Sequence, residues 1–379
     1  MARKFGTKRE VCIDPLAYNI GLIGESGIGK STLIKQVCEK LAGDEGYIML
    51  DIGKEDGHDA INGIVSAKIP DWATFKEFCD DVIENKLTDY KELRVVALDT
   101  FDQLLEIAEP EVIRMHNRAN PDKPKITSIK AAFGGFMAGE DKAIQIVLDK
   151  LWELKAVGVS FIAIGHTKKK DVDDPITGES YSVLTTNMSQ RYFNALKTKL
   201  HFLGVAYIDR EIVKYKTGKK NVVTKEEEIK GKVMSESRRI SFRDDNYSVD
   251  SKSRFANIVD QIPLDPDAFI KALTDAILDE HSKGDKTVEQ SKKELVAARK
   301  AKEAEVAEKL EKDAEHKIDE ERNDELMDVI RNKFTEADSA TKKEVKAIMN
   351  ENNIPNFKNC DDIPTAVLER IVEVLNQGE

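Results

Sequence analysis

The sequence predicts an α/β protein: a mostly parallel sheet extended by antiparallel strands, then a charged helical linker and a small helical C-terminal domain. Three observations predict it. Four apolar runs, "YNIGLIG", "YIMLDIG", "RVVALD" and "VSFIAIG", are nearly continuous rather than alternating, as strands are when both faces of a parallel sheet are covered. Segments with helical apolar spacing lie between them, and strand alternating with helix implies a parallel sheet. From about residue 282 the chain becomes highly charged, and a core-forming pattern returns only after residue 322.

Each element has its own signal. "KSTLIKQVCEKLA" places Leu33, Val37 and Leu41 on one helix face, and "AIQIVLDKLWELKAVG" places Ile144, Leu148, Leu151 and Leu154 on another, ending at Gly158 as a C-cap. After Thr198, "FLGVAYID", "EIVKYK" and "RRISFRD" read as shorter antiparallel strands, with Gly218-Lys219-Lys220 as a hairpin turn. In the charged stretch, Glu289–Lys293, Glu305–Lys309, Glu308–Lys312 and Asp313–Lys317 are (i, i+4) pairs in the favourable order. Its apolar residues, Val288, Leu295, Val306, Leu310 and Ile318, keep no heptad, which favours a long exposed helix over a coiled coil. Further on, Leu326, Ile330 and Phe334 share a helix face. "TKKE" at Thr341–Glu344 reads as a capping box, and Pro364 suits the first turn of a last helix with Val367, Leu368, Ile371 and Leu375. The expected domains are residues 1–280, 281–322 and 323–379.

The 379 residues carry a formal charge of −11, and no run approaches the roughly 18 apolar residues of a membrane span. The basic start, "MARKFGTKREVCIDPLAYNI", lacks the apolar stretch of a signal peptide. Cys12, Cys38, Cys79 and Cys360 are far apart, which argues against a disulfide framework or a cysteine metal site and for a reducing cytoplasm. Charge is uneven: Arg191 to Arg243 holds 14 Lys/Arg against 6 Asp/Glu, which suits either a polyanion or a solvated hairpin region. Asn323 to Glu379 holds 7 basic and 12 acidic residues, which disfavours contact with a phosphate backbone and favours a protein partner or oligomerisation.

"GESGIGKS" fits GxxxxGK[ST] in the required setting, after an apolar strand and opening a helix. Gly24, Glu25, Ser26, Gly27, Ile28, Gly29, Lys30, Ser31 and Thr32 are therefore the expected binding residues for the phosphates of ATP. Backbone N–H groups turn around the phosphates, Lys30 reaches the β/γ-phosphates and the Ser31 hydroxyl ligates Mg2+. "LRVVALDT" ends a second strand in Asp99, whose carboxylate can hold the same ion. For positioning water, "YIMLDIGKEDGHD" offers Glu55 first and Asp51 second, against the alternative of a solvated acidic loop. His166, after "VSFIAIG", is placed either to sense the γ-phosphate or to cap its strand.

"GLIGESGIGKSTL", "YIMLDIGKEDG", "VVALDTFDQL", "FIAIGHTKKK" and "SKSRFANI", spanning roughly residues 15–275, together resemble the RecA-like core of P-loop ATPases. The resemblance is strongest to phage-encoded nucleotide-binding proteins of the AAA class, some of which sit beside single-strand annealing and recombination functions. It implies a homo-oligomer, ring or filament. It also implies that Lys252 and Arg254, a KxR pair, reach a neighbouring subunit's nucleotide and stabilise phosphoryl charge in trans; a basic turn before "DPDAFIKAL" is the other reading. One departure stands out: RecA-like enzymes often carry a catalytic glutamate two residues after the aspartate of the second strand, whereas here Asp51 is followed by Ile52 and Gly53. The resemblance further places DNA-facing loops after the second and the sensor strands. The first holds 5 Lys/Arg against one Asp from Arg114 to Lys130, then Phe133 and Phe136 around two glycines. The second holds Lys168, Lys169, Lys170, Tyr181, Arg191 and Tyr192. Basic residues interleaved with aromatics suit single-stranded nucleic acid, while the phenylalanines equally suit a contact at the start of the next helix. The expected function is an oligomeric Mg2+·ATP-binding ATPase on single-stranded DNA in phage recombination, annealing or replication. The alternative is a nucleotide-dependent loader that binds proteins through its C-terminal helices. A small-molecule or nucleotide kinase fits poorly, because no arginine-rich lid is present.

Overall fold

The apolar run ahead of the glycine-rich segment is a strand with every residue buried. In the computed structural model, which describes residues 10–54, 57–174, 177–220, 227–243, 251–316, 320–352, 354 and 363–377, the strands in chain order are β1 (Ile20–Gly24), β2 (Tyr47–Ile52), β3 (Ser66–Ile69), β4 (Val95–Asp99), β5 (Ser160–Asp173), β6 (Ser180–Thr186), β7 (Phe202–Lys220), β8 (Glu227–Ser241), β9 (Lys252–Ser253) and β10 (Gln261–Pro263). The helices are α1 (Lys30–Ala42), α2 (Trp72–Glu84), α3 (Phe101–Ala119), α4 (Ala138–Ala156), α5 (Gln190–Lys199), α6 (Pro266–His281), α7 (Val288–His316), α8 (Glu320–Glu336), α9 (Ser339–Glu351) and α10 (Thr365–Gln377). The chain divides into two compact units, residues 1–299 and 300–379, with the division inside α7.

In the first unit the sheet runs β10-β8-β7-β1-β5-β4-β2-β3. The stretch from β7 to β3 is parallel throughout. β8 and β10 extend it antiparallel, β6 pairs with the outer half of β5, and β9 pairs with the start of β7. The expected α/β class, a mostly parallel sheet with antiparallel extensions and helices after it, is therefore met. The core under α1 and α6 joins Ile20, Leu22, Leu33, Ile34, Val37, Phe202, Phe242 and Phe269, all buried, with the Phe242 and Phe269 rings 5.7 Å apart. Burial of such side chains contributes roughly 1.5–3 kcal/mol each. It fixes β1 and α1 against each other and so fixes the loop between them.

Several local expectations are corrected. The two short strands expected after Thr198 are one strand of 19 residues, β7, and Gly218, Lys219 and Lys220 belong to it rather than to a turn. Asp209-Arg210-Glu211 interrupts the apolar pattern, but the ladder to β8 continues past it, from Val205↔Ser241 to Lys220↔Glu227. On α4 the fully buried stripe is Ala143, Val147, Leu151 and Leu154, so Ile144 and Leu148 are rotated to its margin. Gly158, at φ +88°, closes α4 with its N–H on the Lys155 carbonyl, as a C-cap glycine does.

In the second unit, Leu326, Ile330, Val345, Ile348, Leu368, Ile371 and Leu375 form a separate core. Asp338, not Thr341, caps α9: its carboxylate accepts the Thr341 N–H at 2.7 Å, which places Thr341 inside the first turn. Pro364 stands just ahead of α10 and its carbonyl receives the Val367 N–H. Cys360, Lys317 and Ile318 lie outside the described residues. No helix among the described residues is long and apolar enough to cross a membrane.

Candidate functional site: the phosphate loop and its surroundings

Residues 24–29 connect the carboxyl end of β1 to α1. Gly24 allows β7 to lie close, since a Cβ there would sit 2.8 Å from the Ala206 Cβ and carbonyl. Gly29 has φ +107°, a conformation that side-chain-bearing residues rarely adopt. Between them Ile28 turns its side chain into the core under α1, anchoring the loop. Lys30 is buried, and its ammonium donates to the carbonyls of Gly24 and Glu25, both at 3.0 Å. The positive end of α1 adds to that charge. α2, α5, α6 and α9 are capped by Asp71, Ser189, Asp265 and Asp338, whereas α1 has no side-chain cap and no acidic residue in its first turn. A helix start of this kind, with neither a capping side chain nor an acidic residue, favours an anion.

Asp99 ends β4, one strand beyond β5 from β1, and a cis peptide joins it to Thr100. Ser31 Oγ donates to Asp99 Oδ2 at 2.5 Å. His58 Nε2 lies 3.0 Å from the same oxygen, buried on the 3-10 turn Gly57–Ala60. Asp51, also buried, is the register partner of Asp99 on β2. Glu55, the first choice for positioning water, lies outside the described residues.

The residues present fit Mg2+·ATP. Among the described residues no group of three or more His, Cys, Asp and Glu side chains is placed to hold a metal. What stands here is one hydroxyl and one carboxylate within hydrogen-bonding reach, a donor set for an ion that takes its remaining ligands from phosphate and water. Ser31 and Asp99 would hold it, and its charge there would offset that of the phosphoryl oxygens. The chain's own contribution is the fixed ammonium of Lys30 and the oriented first-turn N–H groups of α1.

His166 lies on β5 opposite Gly24 in register. Its Nδ1 is 3.3 Å from Asp102 Oδ2, which also accepts from Asn187 Nδ2 at 3.2 Å, and the Asn187 N–H binds the His166 carbonyl. Burial pushes the Asp102 carboxyl up, but hydrogen bonds from His166 and Thr100, the His166 charge and the Asn187 amide together hold it below the ordinary aspartate value. The imidazole is thereby fixed in orientation beside the loop.

Lys252 and Arg254 lie at the opposite end of the sheet. β9 pairs with Phe202 and Leu203, and Phe202 is level with Ile20 at the amino end of β1. Both heads point to the carboxyl end of α5: Lys252 Nζ to the Lys197 carbonyl at 2.5 Å, Arg254 Nε and Nη2 to those of Leu200 and Thr198 at 3.2 and 2.5 Å. Arg254 is exposed. Burial, then the charges of Arg254 and Lys197, lower the Lys252 pKa. Beside them, burial and then Arg254, Lys155 and Lys252 push the His201 imidazole down to about 4, while its Nδ1 accepts the Asn19 N–H at 3.1 Å.

The expected DNA-facing residues divide. β5 and β6 form a ribbon presenting exposed Lys168, Lys169, Lys170 and Tyr181. Arg191 is paired with Asp141, and Tyr192 is buried with its hydroxyl donating to Glu109 at 2.9 Å. Neither of these two therefore stands ready for a base. Phe133 donates its N–H to His116 Nδ1 and sets its ring on that imidazole edge to face. Phe136 is fully exposed (101%). Residues 133–137 all have positive φ, three of them without being glycine.

Sequence reasoning missed His58, Asp102, Asn187 and Arg238, whose Nη1 donates to the Ile28 carbonyl at 3.1 Å. His58 stands in the acidic segment after β2, Asp102 in "VVALDTFDQL" and Arg238 in "RRISFRD", but nothing local in those segments marks the contacts they make.

The family profile described as AAA domain matches residues 16–254. No curated protein matches. Similar solved structures include a prototypical ATPase from the type III secretion system of pathogenic bacteria, at 15% identity over 51% of this chain and 53% of that one, with a TM-score of 0.30. Another is the flagellar accessory protein FlaH from Methanocaldococcus jannaschii, at 10% identity over 62% and 82%, with a TM-score of 0.28. The match spans about half the length of the former.

Proposed function

The chain belongs to the AAA domain family, and from that premise we propose that it is an oligomeric, Mg2+-dependent ATPase acting on single-stranded DNA in phage recombination, annealing or replication. The observation that carries the nucleotide part is the buried Lys30 ammonium held on loop carbonyls at the uncapped end of α1, with Ser31 and Asp99 in contact beside it. Lys30 and the residue 24–32 backbone bind the phosphates, Ser31 and Asp99 hold Mg2+, and Glu55, or failing it Asp51, positions water. His166 senses the γ-phosphate beside Gly24. Lys252 and Arg254 act on the neighbouring subunit's nucleotide. This trans role is supported by the exposure of Arg254 beside Lys252 at the amino end of β1. DNA contact is supported by the exposed lysines and Tyr181 of the β5–β6 ribbon and by Phe136. The phage setting rests on the resemblance drawn from the sequence.

ATP turnover with and without single-stranded DNA, at two salt concentrations, tests this function. Stimulation that weakens at higher salt is expected. Turnover indifferent to DNA supports instead a loader that docks proteins through its second unit, a reading favoured by that unit's separate core and acidic balance.

A further inference from the structure

The phosphate loop is gripped from outside by a residue 210 positions away in sequence. Arg238 lies on β8, in register with Ile208 of β7, and its carbonyl accepts the Leu264 N–H at 2.9 Å. Its guanidinium Nη1 donates to the Ile28 carbonyl at 3.1 Å. Arg238 and Leu264 together flank Gly29: a Cβ built there would meet Leu264 Cδ2 at 3.5 Å and Arg238 Nη1 at 3.8 Å. The Ile28 carbonyl and the Gly29 N–H belong to one planar trans peptide, in which C=O and N–H point in opposite directions. A carbonyl held towards Arg238 therefore turns the Gly29 N–H to the other side, away from β8. Ile28 is pinned at both ends, by its side chain in the core and by its carbonyl on Arg238.

We propose that Arg238 is a positioning residue supplied in cis, orienting the Ile28–Gly29 peptide so that the Gly29 N–H serves a nucleotide phosphate. This rests on the nucleotide-binding role proposed above and adds a residue to it. Arg238 acts through the loop backbone and needs no contact with the nucleotide. It differs in this from Arg254, which lies at the other end of the sheet. Because β8 continues outward from Arg238 as one edge of the β7–β8 ribbon, the grip also ties loop geometry to that ribbon.

The test is titration of the full chain with a fluorescent ATP analogue in Mg2+, comparing the unaltered protein with Arg238→Ala, Arg238→Lys and Lys30→Ala. Arg238→Ala should weaken binding about tenfold, the size of one charge-assisted hydrogen bond. Arg238→Lys should regain most of it, and added guanidinium ion should partly restore Arg238→Ala. A role confined to folding would give neither rescue. Affinity unchanged in Arg238→Ala overturns the proposal, as does a loss that neither lysine nor guanidinium repairs. Lys30→Ala separates the two levels: if it binds as well as the unaltered chain, the nucleotide role itself fails. If it alone loses affinity, the nucleotide role stands and that of Arg238 falls.

Discussion

The two ends of β1 carry the same chemistry in opposite settings. At its carboxyl end, Lys30 places an ammonium on the Gly24 and Glu25 carbonyls; at its amino end, Lys252 and Arg254 place cations on the carbonyls of residues 197, 198 and 200. Lys30 sits at the positive pole of α1, whereas the other two sit at the negative pole of α5. A cation at a helix carboxyl end gains about 0.3–1 kcal/mol, and one at the amino end loses a similar amount. The first arrangement is costly until an anion arrives. The second is satisfied within one chain.

Variants can break this comparison. The largest effect is expected for Lys30→Ala, which should lower nucleotide affinity by about 100-fold or more, while the relief of a charge at the positive helix pole offsets part of the stability lost with its bonds to the Gly24 and Glu25 carbonyls. Fluorescence titration and thermal melting check both halves, and a large fall in melting temperature with binding retained would reverse the assignment. Arg254→Ala should show the converse: about 1 kcal/mol of lost stability and, under the proposed trans role, lost turnover. Mixing inactive Arg254→Ala and inactive Lys30→Ala subunits should recover turnover, since each supplies what the other lacks. Mixed oligomers that stay inactive leave Arg254 with its α5 contacts alone.

A smaller effect sharpens the view of the amino end. His201 has a folded pKa pushed down to about 4, against about 6.5 unfolded. The unfolded chain therefore takes up the proton first. The contribution of the neutral imidazole is complete above about pH 6.5 and is lost as pH falls towards 4, by about 1 kcal/mol once solvent screening is allowed for. Melting curves between pH 7 and pH 5 should fall less steeply in His201→Gln than in the unaltered chain; equal slopes would remove His201 as the cause.

The same comparison explains what was legible in the sequence. The phosphate loop was legible because its chemistry is contiguous, and Asp99 because a buried strand ends in it. His58 on Asp99, His166 and Asn187 on Asp102, and Arg238 on Ile28 meet across 41, 64, 85 and 210 residues, and no local pattern records such meetings. Tyr192 was misplaced because its helix face was invisible: it shares the buried side of α5 with Phe193 and Leu196. β7 was cut in two because hydropathy registers side chains, while the ladder to β8 is made by backbone.

One segment is built against the stability of the fold. Phe133, Phe136 and Met137 hold positive φ, at a cost on the order of 1–2 kcal/mol per residue without the glycine exemption, and Phe136 covers nothing in return. Phe136→Gly should therefore raise the stability of the chain, by about 0.5–1 kcal/mol after the entropy of glycine is counted. A library at this position sorted by heat resistance would favour glycine. One sorted by DNA-stimulated turnover would favour an aromatic if the ring meets bases. Agreement between the two rankings would mean that the ring serves neither purpose, and a crossing would measure how much stability the surface gives up for its ligand.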